Sequence, residues 1–433
     1  MSDSQEFILE LVRKYHREKE LQREFVPGKT LVMPSGATLD EDDRVAMVEA
    51  ALNMRIAVGS SAIELERQLG RALHRRKVHL TNSGSSANLL ALTALTQPEM
   101  GDARLKPGDE VVTVAAGFPT TVNPIIQNGM TPVFVDVELG TYNTTVERIA
   151  DAIGPRTRAI MIAHALGNPF PAAEVAALAK EHGLFFVEDN CDAVGSLYNG
   201  RMCGTFGDFS TVSFYPAHHL TMGEGGCVTT DRPRLARLIE SLRDWGRDCW
   251  CEPGENDTCG KRYCQQFGGL PYGYDHKYTF SRVGFNLKTT DVQAALGLSQ
   301  LQRLPEFDAA RRRNWWRLRE GLDGIPGLMM PVPQPGSDPS WFGYILTVEE
   351  NAGFDRNEIV GFLESRRIGT RMLFAGNLTR QPAYQGQNYR VSGSLENSDA
   401  IMERTFWIGV FPGLTDEMLD YMIDSLWEFV RSR

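Results

Sequence analysis

The chain contains no apolar run approaching the roughly 20 residues that a membrane-spanning helix needs. Its N-terminus, Met1 to Glu24, is charged and helix-like and does not read as a signal peptide. These two features argue for a cytoplasmic protein without membrane attachment. Positive charge is in deficit: 45 Lys and Arg stand against 55 Asp and Glu, for a net charge of −10. That gives no reason to expect nucleic acid as a partner. An acidic chain that binds an anionic nucleotide must use local Arg, Lys or backbone N–H groups. There is no internal repeat and no low-complexity tract. What is present is an ordinary globular composition, 42% hydrophobic and 23% charged over 433 residues, enough for two or three domains.

Seven cysteines occur, an odd number, and Cys249, Cys251, Cys259 and Cys264 fall within 16 residues. Without an export signal this pattern points to metal binding more than to disulfides. The spacing Cys191-x57-Cys249-x1-Cys251-x7-Cys259 offers soft ligands for zinc, Cu(I) or an iron–sulfur cluster. Spacing alone does not choose between them, and a four-cysteine zinc site that pins the loop stays open. Cys264 is an alternative fourth ligand to Cys259. Cys191 follows Asp189 by two residues, so in an extended segment both side chains fall on one side. Residues 250–265 are rich in Gly, Asp, Asn, Pro and Cys and need something other than a core to order them. Cys203 and Cys227 read as ordinary buried thiols.

Along the chain, residues 5–24 carry helical spacing, a second helix starts at the acidic cluster Asp40–Asp43, and a third covers 62–74. Short β-type runs follow at Lys77–Leu80, Glu110–Val114, Thr131–Val137, Ala159–Ala163, Leu184–Val187, Thr211–Phe214 and Cys227–Thr230, separated by helical patterns. Strands alternating with helices predict an α/β domain, three layers around a largely parallel sheet. After about residue 300 the pattern fades, and a long helix over 301–322 leads to a smaller α+β C-terminal domain. The expected division is an N-terminal helical segment 1–36, a large domain 37–300 that includes the cysteine loop 245–268, and a small domain 301–433.

Thr81-Asn82-Ser83-Gly84-Ser85-Ser86-Ala87-Asn88 follows the first strand and opens an apolar helix. Small hydroxyl residues at a helix N-terminus form an anion site through free N–H groups and the positive dipole end, though such turns are also common caps. Phe118 and Asp189 stand at the ends of later strands.

The stretch Ser213-Phe214-Tyr215-Pro216-Ala217-His218-His219-Leu220-Thr221-Met222-Gly223-Glu224-Gly225-Gly226 resembles the cofactor-lysine segment of the DegT/DnrJ/EryC sugar aminotransferases, which have the aspartate-aminotransferase-like fold type I. In those enzymes a Lys anchors pyridoxal phosphate covalently. Here the matching position is His218, and the stretch has no Lys. An imidazole cannot hold an aldehyde but moves protons near neutral pH. That substitution marks the sugar 3-dehydrases, which resemble the aminotransferases but use pyridoxamine phosphate (PMP) to remove a hydroxyl.

The resemblance implies that Gly84, Ser85, Ser86 and Ser213 hold the cofactor phosphate and that Phe118 stacks on the pyridine ring. It implies that Asp189 pairs with the ring nitrogen, making the ring an electron sink, and that His218 is the base. Residues 284–295 resemble a segment that crosses a dimer, which implies a homodimer in which Asn286 reaches the neighbour's cofactor phosphate. Lys288 is the nearest basic residue there. The four-cysteine spacing is that of the iron–sulfur members, which implies a [2Fe-2S] cluster on Cys191, Cys249, Cys251 and Cys259, fed by a separate reductase or ferredoxin. Residues 115–121, 243–248, 273–278 and 373–382 look like 3-dehydrases of CDP-linked 4-keto-6-deoxyhexoses and their TDP-linked relatives. Met54–Gly59 lacks the aromatic expected beside the sugar, which leaves the sugar and nucleotide open. Arg371, Arg380 and Lys277 are candidates for nucleotide phosphates. The implied activity is C3 dehydration and reductive deoxygenation of a nucleotide-linked 4-keto-6-deoxyhexose. The alternatives are a cluster-free dehydrase recycled by glutamate with a structural zinc, or a sugar aminotransferase, which would need the Lys.

Overall fold

The computed structural model describes residues 2–20, 24–54, 56–251 and 255–433. The end of the first predicted helix at 21–23, Arg55 of the sugar-pocket stretch, and 252–254 of the cysteine loop lie outside the described residues.

All seven runs expected to be strands are strands. An eighth joins them in one sheet, in the order Lys77–Thr81, Gly226–Thr230, Phe209–Ser213, Phe185–Asp189, Thr157–Ala163, Glu110–Val114, Thr131–Val135, Arg390–Val391. Pairing is parallel from Phe209–Ser213 to Arg390–Val391, and antiparallel only on the two sides of Gly226–Thr230. Four of the inner strands, Gly226–Thr230, Phe209–Ser213, Glu110–Val114 and Thr131–Val135, are buried along their whole length, as a sheet covered on both faces requires. One face packs on the helices Gly84–Leu95 and Pro233–Arg243, through Leu90, Leu92, Leu238 and Ile239. The other packs on Val146–Ala152 and Ala172–Glu181, through Ile149, Ala172 and Val175. This is the three-layer, largely parallel α/β arrangement that the alternation of patterns predicts.

A second sheet, antiparallel, runs Leu328–Met329, Gly343–Val348, Thr405–Gly409. It packs against Leu304–Gly321, Arg356–Ser365 and Asp416–Arg431 around Trp315, which stacks on Trp341 at 4.2 Å. The predicted helix 301–322 is two helices. Leu301 closes Asp291–Gln302, which opens on a capping box between Thr290 and Gln293. Pro305 cannot continue that helix but fits the first turn of the next, Leu304–Gly321. The eighth strand, Arg390–Val391, is too short to carry a period of two, and sequence pattern does not mark it. No helix among the described residues is long and apolar enough to cross a membrane.

Candidate active site

The strands Phe185–Asp189 and Phe209–Ser213 are parallel, so Asp189 and Ser213 both stand at the carboxyl edge of the sheet, where open α/β sheets gather their loops. Asp189 is buried, 3% exposed, and its carboxylate is held by three donors. Asn88 Nδ2 and Thr121 Oγ1 donate to Oδ2 at 2.8 and 2.7 Å, and the Cys191 N–H donates to Oδ1 at 3.1 Å. Asn88 is fully buried and is fixed in turn by Thr211 Oγ1, which donates to its Oδ1 at 2.6 Å. Asn88 and Thr121 carried no signal of their own in the sequence.

Next to this carboxylate lies the start of Gly84–Leu95. Ser83 caps the helix, its Oγ accepting from the Ser86 N–H at 3.1 Å. Two glycines allow the cradle to form. A Cβ on Gly84 would stand 2.5 Å from Ser213 Cβ, and one on Gly226 would stand 2.5 Å from the Ser83 carbonyl carbon. Thus Gly84 and Ser213 are brought together, with Ser85 exposed at the helix start and Ser86 partly buried. Phe118 precedes Pro119–Gln127, is half exposed, and meets Phe374 edge-on at 6.5 Å. Asn286 is exposed, in a segment fixed within this same chain: the Asn82 N–H donates to Leu287 O at 2.8 Å. Lys288 is not free; it pairs with Asp244 and lies over the Trp245 ring at 3.7 Å.

The turn after Ser213 carries His218, its N–H bonded to Tyr215 O at 2.9 Å. His218 Nδ1 lies 3.2 Å from Asp192 Oδ1 without the alignment of a hydrogen bond, and its ring packs on Phe342 at 5.2 Å. His219 is buried, with Nε2 2.8 Å from Ser340 O. Burial, then the charge of Arg311, keeps its pKa well below the usual imidazole value. Arg311 is 1% exposed and donates to Trp341 O at 3.2 Å and to His218 O at 3.0 Å. Burial lowers its pKa to about 10. Asp192 and Arg311 are further residues that the sequence left unmarked.

Cys191 has Asp189, Asp192 and Cys227 as its electrostatic neighbours; burial and then Asp189 push its thiol well up. Cys249 and Cys251 interact with each other beside Lys277. Burial raises Cys249. Against the upward push of burial, hydrogen bonds from Thr258 and Cys249 hold Cys251 below the usual thiol range. Cys259 Sγ lies 3.6 Å from His276 Nδ1, and Cys264 is exposed. Cys203 and Cys227 are buried thiols, as expected.

Among the described residues, the group of three or more His, Cys, Asp or Glu ligand atoms lying within 4.8 Å of one another is His164, Glu188 and Cys203, and the four spaced cysteines form no such group. The His164 group is closed to a metal. Glu188 accepts from His164 Nε2 (3.0 Å), from the Gly204 N–H and from the Phe206 (3.0 Å) and Gly207 (3.3 Å) N–H groups. His164 Nδ1 accepts from the Phe170 N–H at 3.3 Å. The candidate phosphate ligands are engaged elsewhere. Arg380 pairs with Asp399, Lys277 Nζ donates to Asn256 Oδ1 at 2.7 Å, and Arg371 donates to Thr370 O at 2.7 Å.

The sequence profile of the DegT/DnrJ/EryC1/StrS aminotransferase family matches residues 38–427. A protein of Saccharopolyspora spinosa named dTDP-4-dehydro-2,6-dideoxy-D-glucose 3-dehydratase is 64% identical over 428 residues, covering 99% of this chain and 92% of its own. A Salmonella typhimurium protein named lipopolysaccharide biosynthesis protein RfbH is 53% identical, covering 98% of this chain and 97% of its own. The solved structure of Escherichia coli GDP-4-keto-6-deoxy-D-mannose-3-dehydratase with bound hydrated PLP superposes with a TM-score of 0.81 at 25% identity, over 91% of this chain and 99% of that one.

Proposed function

The chain belongs to the DegT/DnrJ/EryC1/StrS aminotransferase family, and on that premise we propose that it is a nucleotide-sugar 3-dehydratase that uses PLP or PMP. The observation that carries the reading is His218, with Asp192 at its Nδ1, in a cofactor segment that has no lysine. The finer reading is removal of the C3 hydroxyl from a 4-keto-6-deoxyhexose, with reduction to the 3-deoxy sugar. The name of the 64%-identical relative supports a dTDP-linked sugar that also lacks the C2 hydroxyl.

The residues present fit the cofactor. A buried carboxylate, a capped helix N-terminus and two glycines that admit no Cβ make a place for a ring nitrogen and a phosphate. In this reading Asp189 holds the ring nitrogen and Gly84, Ser85, Ser86 and Ser213 hold the phosphate. Phe118 covers the ring, and Asn286 serves a second copy of the chain in a homodimer. When bound, the cofactor supplies an electron sink. Asn88 and Thr121 fix the Asp189 carboxylate so that it meets the ring already oriented. His218 moves the proton. With Nδ1 turned to Asp192, Nε2 is the atom left to act.

A [2Fe-2S] cluster fits the donor set of four thiols. Cys191, Cys249, Cys251 and Cys259 would hold it, and it would supply single electrons from a reductase or ferredoxin. The solved structure of GDP-4-keto-6-deoxymannose-3-dehydratase with a trapped PLP-glutamate geminal diamine, to which the chain is similar with a TM-score of 0.82 at 25% identity, favours as a second reading a cluster-free dehydratase whose cofactor is recycled by glutamate.

The test is hydrogen exchange at the cofactor's C4′ carbon in deuterated water. His218→Asn is expected to abolish exchange while cofactor binding persists. Exchange at the wild-type rate in that variant contradicts the role of His218.

A further inference from the structure

Behind His218 lies a cavity of ≈ 10 Å³ whose wall includes Thr38, His218, His219, Gln300, Phe307 and Arg311. Three polar atoms on those residues are fully buried and have no hydrogen-bond partner among the described residues: Thr38 Oγ1, His219 Nδ1 and Arg311 Nε. Buried polar atoms are normally paired, by protein or by ordered water.

The chemistry of these three is complementary. His219 donates from Nε2 to the Ser340 carbonyl, so its Nδ1 carries a lone pair. Arg311 uses its Nη groups on the carbonyls of Trp341 and His218, which leaves the Nε–H as a donor. Among the described residues no carboxylate touches this guanidinium; Asp308 and Asp192 act on it only through space. The Thr38 hydroxyl both gives and takes, and Thr38 is held at the wall by Gln300 Nε2, which donates to its carbonyl at 3.1 Å. The free space in the cavity is that of a single water molecule.

We propose that one ordered water sits here, accepting from Arg311 Nε–H, donating to His219 Nδ1 and sharing a third hydrogen bond with Thr38 Oγ1, and that it holds His218 by fixing Arg311, which donates to the His218 carbonyl, and the adjacent His219. Arg311, His219 and Thr38 are then positioning residues for His218, a role that rests on the reading of His218 as the base. Arg311 contributes twice, through the water and through its bond to the His218 carbonyl.

Two measurements test this. A crystal structure of the cofactor-free protein, at a resolution that shows waters, is expected to place one water within hydrogen-bond distance of both Arg311 Nε and His219 Nδ1. A dry cavity, or direct contact between those side chains, overturns the proposal. In solution, Thr38→Val keeps the shape and removes the hydroxyl. C4′ exchange is expected to slow about fivefold, the effect of one neutral hydrogen bond, with cofactor affinity unchanged and with rescue by Thr38→Ser. Exchange at the wild-type rate in Thr38→Val also overturns it. If the wild type shows no exchange that depends on His218, the base reading fails, while the water is decided separately by the crystal.

Discussion

The approach of Gly226–Thr230 to the anion cradle allows a quantitative test. A Cβ on Gly226 would stand 2.5 Å from the Ser83 carbonyl carbon and 2.6 Å from Gly84 N and Ser83 O, where ordinary contacts begin at 3.4 Å. Gly226→Ala therefore forces a displacement of about 0.9 Å (3.4 − 2.5). All three atoms are backbone, so no side-chain rotation relieves the contact. Overpacking of this kind costs about 1–3 kcal/mol of stability. The displaced atoms also belong to the loop read as the phosphate site. Misaligning one charge-assisted hydrogen bond costs about 1.5–3 kcal/mol, so PMP affinity is expected to fall at least about tenfold. Gly361→Ala is the control. Nothing lies within 4 Å of its Cβ, in the middle of Arg356–Ser365, and the substitution is expected to stabilise by about 0.5–1 kcal/mol without touching affinity. Urea unfolding reads the stability and a fluorescence titration with PMP reads the affinity. Wild-type PMP affinity in Gly226→Ala would refute the assignment of the cradle.

Three further outcomes follow from the site and the core. Protein purified without oxygen is expected to carry about two iron and two acid-labile sulfide per chain, with visible charge-transfer bands; zinc, or no metal, moves the account to the glutamate-recycled reading. Glu188→Gln leaves two of four inward donors facing an amide N–H₂, and is expected to cost about 3–5 kcal/mol in urea unfolding; a change below about 1 kcal/mol contradicts the closed network. Asp308 is raised by burial from 3.8 to about 6, so its folded value exceeds its unfolded one. Its contribution to stability is present below the unfolded value and is lost as pH rises through about 6, and Asp308→Asn is expected to lose less stability than the wild type between pH 4 and pH 7, read as melting temperature against pH. Parallel curves for the two proteins contradict it.

The strands were legible because each run is five to seven residues in which apolar and β-branched residues predominate, bounded by turn chemistry. The break at Pro305 was missed because helical spacing runs through it, and only the proline ring ends the pattern. Asp189 was legible from its motif and its strand end. Its supports were not, because Asn88 and Thr121 stand 101 and 68 residues away in sequence and meet it only through the fold. The partners of His218 were hidden for the same reason: Arg311 lies 93 residues on, in a helix whose pattern marks it as one more charged position. The candidate phosphate ligands had neighbours that the sequence did not show. Arg380 and Lys277 are basic residues in suggestive motifs, and both are taken up by neighbours in their own chain.

The most direct test of the account is the mass of the product formed from a dTDP-linked 4-keto-2,6-dideoxyhexose by the protein loaded with PMP and supplied with a one-electron reductant. The account expects a nucleotide sugar lighter by one oxygen, formed by the wild type and absent with His218→Asn. Unchanged substrate, or a product that carries a new amino group, would contradict it.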